Sequence, residues 1–130
     1  VNSAAQASQT EHPEHPDEVL VEVVGCATHD AHAVFSALRE SFVSDRSAND
    51  VPKEVNGATA TVWTVTVDVS ELRAEAAPRP LSAPVTVDLQ GGYWAVDRLR
   101  KALAHAFSVR VVGTAAGDQE KEVQLRLETL

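Results

Sequence analysis

Three segments of this chain alternate polar and apolar side chains almost without a break, and that constrains its fold more than any other feature. The last, Glu122-Val123-Gln124-Leu125-Arg126-Leu127-Glu128, has the pattern of a strand with one buried and one wet face. The same code runs through Thr61-Val62-Trp63-Thr64-Val65-Thr66-Val67-Asp68-Val69 and Val85-Thr86-Val87-Asp88-Leu89. A slip of one residue in the middle segment would expose Trp63, so its register should be firm.

Other elements follow from different periods. Residues 19–25 are Val-rich with Glu22 as their only charge, which suits a central strand. Ala31, Val34, Phe35, Leu38 and Phe42 recur at helical spacing, with Thr28 or Asp30 as N-cap. Pro52 bars a helix from the polar stretch that follows, and Asn56-Gly57 marks a hairpin turn that would pair residues 51–55 with a strand over 58–69. Residues 70–84 hold Pro78, Pro80 and Pro84 and read as a flexible loop, either a functional flap or a mobile insert. After the strand at 85–89, Gln90-Gly91-Gly92 reads as a turn. A second helix over 93–107 then buries Val96, Leu99, Leu103 and Phe107. A strand at 108–113 and a turn at Ala115-Ala116-Gly117-Asp118 complete a hairpin with the final strand.

This order predicts an α+β, ferredoxin-like βαββαβ fold with an additional C-terminal edge strand. Right-handed crossovers give an antiparallel sheet of order 5-4-1-3-2 with two helices on one face. The length suits a single domain over 18–130. Residues 1–17 lack large apolar side chains and read as a disordered acidic leader. Its doubled Glu-His-Pro unit offers His12 and His15 to a metal, but two His on a mobile chain form a weak site and a solvated acidic tail is the better account.

Composition removes several classes of function. A formal charge of −8 disfavours nucleic acid and anionic membrane as partners. No apolar run approaches the roughly 20 residues that span a bilayer, and no signal-like pattern opens the chain, so a cytoplasmic protein is expected. The single cysteine, Cys26, excludes an internal disulfide. Val1 in a chain without Met, and Ala-rich, Arg-over-Lys usage, fit a valine initiation codon in a high-GC bacterium or a trimmed N-terminus.

In the expected topology the first strand ends beside the start of the fourth. Cys26, His29, Asp30, His32 and His105 then share one pole. Cys26, His29, His32 and His105 offer the sulfur and imidazole donors that zinc, nickel or copper prefer. Alternatively, Cys26 at a helix start is a thiolate nucleophile with a neighbouring His as base and Asp30 to orient it. Isolated Cys and His residues usually have structural explanations, and here those are a small buried hydrophobe and helix-end partners. Gly91-Gly92 before a helix suggests a phosphate site but lacks the surrounding motif. The exposed sheet face carries Glu22, Thr64, Thr66, Asp68, Thr86, Asp88, Arg110, Gln124, Arg126 and Glu128. It has no aromatic platform for RNA, and it lacks the apolar patch of a dimeric barrel.

The leading expectation is a small non-catalytic module, accessory or regulatory, that binds a protein or small molecule as a monomer or weak homodimer. A metal- or thiol-dependent site at the Cys/His pole and a small dimeric α+β-barrel enzyme are the alternatives.

Overall fold

The computed structural model describes residues 16–45 and 62–130. The residues expected as leader, with His12 and His15, and the expected hairpin around Asn56-Gly57 lie outside this set, Pro16 and Asp17 excepted. In chain order the elements are β1 (Glu18–Val24), α1 (Thr28–Ser41), β2 (Val43–Ser44), β3 (Val62–Asp68), β4 (Val85–Gly92), α2 (Tyr93–Leu103), β5 (Phe107–Ala116) and β6 (Glu120–Thr129). They form one six-stranded sheet of order β2-β3-β1-β4-β6-β5, antiparallel at every pairing.

This arrangement overturns the ferredoxin-like reading and its strand order 5-4-1-3-2. The first strand lies beside β3 and β4, and never beside the strand that follows α2. β3 and β4 are each antiparallel to β1, so they run parallel to each other with β1 between them. Parallel strands need a long crossover. The Pro-rich segment supplies it, and this accounts for a length that no hairpin would require.

The sheet is built from the same unit twice. β1-α1-β2-β3 and β4-α2-β5-β6 are both βαββ, and in each the last strand inserts between the two strands that flank the helix. Core positions match as well. Val19, Val21 and Val23 correspond to Val85, Val87 and Leu89, while Trp63, Val65 and Val67 correspond to Val123, Leu125 and Leu127. Along α1 and its C-cap, Val34, Phe35, Leu38 and Phe42 repeat the spacing of Ala95, Val96, Leu99 and Leu103 in α2. With these equivalences the units are related by a pseudo-twofold axis that passes between the paired residues Glu22 and Asp88.

The buried positions of β1, β3, β4 and β6, both helices and Ala76 form one core cluster. Each fully buried Val, Leu or Phe contributes roughly 1.5–3 kcal/mol by leaving water. Residues 70–84, expected as a flap or mobile insert, form no regular element but are tied along α1. Arg73 donates to the carbonyls of Arg39 (2.7 Å) and Phe42 (2.8 Å). Ala77 N–H and Arg79 meet Glu40 at 2.9 and 3.1 Å. Ser82 then reaches the start of α1 at Asp30.

Three boundaries also differ. α1 begins at Thr28 after Ala27, with no side-chain cap. α2 ends at Leu103, and Phe107 opens β5. Gly91 and Gly92 form the last residues of β4, not a turn. Gly91 is required there by close approach, since a Cβ would sit 2.8 Å from the backbone oxygen of Glu18. Gly91→Ala is therefore expected to lower stability by about 1–3 kcal/mol in urea unfolding. Gly113→Ala, with nothing within 4 Å of its Cβ position, should change it by less than about 0.5 kcal/mol.

Candidate functional site

The residues expected at a common pole are not gathered into a site. Cys26 follows β1 and His105 precedes β5, two strands that have β4 and β6 between them. At about 4.8 Å per strand their columns lie on the order of 14 Å apart. His29 is exposed, with Nε2 3.5 Å from Asp30. His105 Nε2 lies 3.8 Å from Glu75, in the segment 70–84. His32 is half-buried in α1. Among the described residues, no three His, Cys, Asp or Glu side chains converge where a metal ion could be held.

Cys26 is half-buried against the core. Burial, reinforced by the nearby Asp30 charge, pushes its thiol up to about 11, against the partial help of backbone hydrogen bonds. A helix start therefore does not activate this thiol. Asp30 is a structural anchor. It is buried, and it accepts the Ser82 amide at 2.9 Å and the Ser82 hydroxyl at 2.6 Å. Burial alone would raise its pKa. The hydrogen bonds from Ser82, the charge of His29 and the Ala83 amide outweigh that and hold the carboxyl below its usual range.

The open face of the sheet has a different character. Its side chains are the alternate set that does not enter the core, and the register brings them into rows. One row runs Thr64, Glu22, Asp88, Gln124, Gly113 across β3, β1, β4, β6 and β5. The next runs Thr66, Leu20, Gln90, Glu122, Ala115. Glu22 and Asp88 are direct cross-strand partners at the pseudo-twofold axis, an arrangement that like charges disfavour. Gln124 Nε2 donates to Asp88 Oδ1 at 3.1 Å. A groove of about 380 Å³ lies here, lined by Glu22, Asp88, Glu122, Gln124 and residues 113–115. At its far end Arg126 and Arg110 stand opposite each other, and Arg126 Nε lies 3.5 Å from Glu128.

The carboxylates and Gln124 can be located from alternation, but the β5 wall of the groove cannot. Val112-Gly113-Thr114-Ala115-Ala116 reads as the end of a strand and a turn, whereas β5 continues to Ala116 through a bulge between Val111 and Gly113. The signal available in the sequence is the absence of any charge between Arg110 and Asp118.

Two outcomes are expected from this geometry. Asp30→Asn should cost about 1–3 kcal/mol at neutral pH, because it removes a charged hydrogen-bond acceptor. A depressed carboxyl stabilises the fold above the unfolded-state pKa, and that stability is lost as pH falls through the folded one. Urea midpoints of the parent should thus fall below about pH 4, and the variant's acid limb should be shallower. For Cys26, alkylation by iodoacetamide near pH 7.5 should be about 100-fold slower than for an unperturbed cysteine, with a rate still climbing at pH 10. No protein-family model, curated protein or solved structure matches this chain.

Proposed function

We propose that the protein is a small non-catalytic binding module, accessory or regulatory in role, whose contact surface is the acidic groove on the open face of the sheet. The observation that carries this reading is the pair Glu22 and Asp88. Two carboxylates stand directly opposite each other on the two central strands, where they serve no core packing and repel each other. A bound cation relieves that repulsion.

The groove around them adds Glu122 and Gln124, so its chemistry favours an amine or guanidinium group. The net charge of −8 steers cations towards the molecule at low ionic strength. The groove-lining residues include no Cys, His or Lys, and their one hydroxyl, on Thr114, has no imidazole or amine among them to act as its base.

Titration with spermidine, followed by amide NMR shifts, tests this reading. Saturable shifts are expected at Glu22, Asp88, Glu122 and Gln124. Asp88→Asn combined with Glu122→Gln should weaken them at least about tenfold, as should raising salt from 0.05 to 0.5 M (about a threefold shorter Debye length). Shifts that never saturate, or that spread evenly over every acidic side chain, would defeat the proposal.

A further inference from the structure

We propose that β5 is the docking edge for an extended basic segment of a partner protein, which joins the sheet as one more strand. This rests on the reading of the groove as the contact surface and names the kind of partner it takes.

β5 is the terminal strand of the sheet, and among the described residues no strand pairs with its outer side. It is ten residues long, whereas β2 at the opposite end has two. Proteins usually blunt such an edge with charge, proline or a covering element, because its row of N–H and C=O groups recruits other strands. β5 has neither charge nor proline from Val111 to Gly117. Its bulge lies between Val111 and Gly113, which leaves the residues beyond it available. Val111 and Val112 are 47% and 56% exposed.

Charge selects the occupant. β5 contributes Gly113, Thr114 and Ala115 to the groove, all small and uncharged, so the floor continues from Glu122 and Gln124 to the edge with no charge in between. A strand added outside β5 would lie about 4.8 Å from it and about 10 Å from β6. Lys or Arg side chains of that strand, placed opposite Gly113 and Ala115, lie across the small residues and meet Glu122. A second depression, of about 280 Å³, extends the same path past Ala116 and Gly117 to Glu120. Towards the start of β5 the paired Arg110 and Arg126 repel a cation, so basic residues are favoured at two or three alternate positions only. Main-chain bonds provide the affinity and alternate side chains the choice of partner, as in strand addition generally. A second copy fits less well, because beyond Arg110 its own β5 brings no cation to Glu122.

The test uses the full chain and two capped octapeptides, (Val-Lys)4 and (Val-Glu)4. The Lys peptide should bind saturably and slow amide hydrogen exchange within residues 111–116 at least about tenfold, while the Glu peptide does not bind. Gly113→Lys should weaken the Lys peptide at least about tenfold and leave the thermal midpoint unchanged, since its Cβ meets nothing within 4 Å. Shifts at Glu122 without protection of β5 would overturn strand addition and leave the groove reading intact. Failure of both spermidine and peptide to bind would remove both. Equal binding of the Glu peptide, or an unaffected Gly113→Lys variant, would overturn the assigned chemistry. Protection of β5 in the protein alone would give the edge to a second copy if it grows with concentration, and to this chain itself if it does not.

Discussion

The pairing of β1 with β4 is the contact on which the rest of the molecule depends. It joins the two βαββ units, and its register sets Val19, Val21 and Val23 beside Gly91, Leu89 and Val87 on the core side. Because side chains alternate along a strand, the same register fixes the other face and places Glu22 opposite Asp88. The core and the acidic pair are therefore one decision. A shift that separated the carboxylates by one residue would also turn three buried valines towards water. The hydrophobic gain holds the repulsion in place, and Gln124 partly offsets it through its bond to Asp88.

Much of the local structure is legible in the sequence, because alternation reports which side chains of a strand are buried. Trp63, Val65 and Val67, and Val123, Leu125 and Leu127, all lie in the core as their spacing indicates. Neighbour relations are not legible in this way. That β1 lies beside β4 is expected, but whether its other neighbour is β3 or the strand after α2 depends on pairing energies between distant segments. The length of residues 70–84 is the one local hint, since a crossover between parallel strands must run the length of the domain. The expectation of a Cys/His pole rests on the wrong neighbour, and it loses its geometric basis once β4 and β6 stand between Cys26 and the approach to β5. The open-face residues were legible one at a time. Their convergence into a groove was not, because a row across a sheet exists only after the strands are ordered.

The duplication is hidden for a related reason. Matching units keep the apolar spacing of their strands and helices but differ in their connections. Three residues, 25–27, separate β1 from α1, whereas α2 starts directly after β4. Gly25 turns the chain at a positive φ of 67°, and the equivalent corner is made by Gly92 in extended backbone. Core positions tolerate exchange among Val, Leu and Phe as long as volume is shared out across the layer. Two halves can thus retain one packing plan while their sequences cease to look alike.

Symmetry also explains where the binding surface should be sought. An internal twofold makes the centre of the sheet equivalent from both sides, so Thr64 and Gln124 flank the carboxylate pair in the same way. The differences between the halves lie at the margins. β5 runs well beyond its helical cover and carries small uncharged residues, whereas the described part of β2 is a two-residue pairing beside β3. Edges without charge or cover are uncommon because they invite association. A chain that repeats its core plan so closely, yet leaves one edge long and bare beside a groove of carboxylates, has its asymmetry where a partner strand gains most from main-chain bonds and opposite charge together.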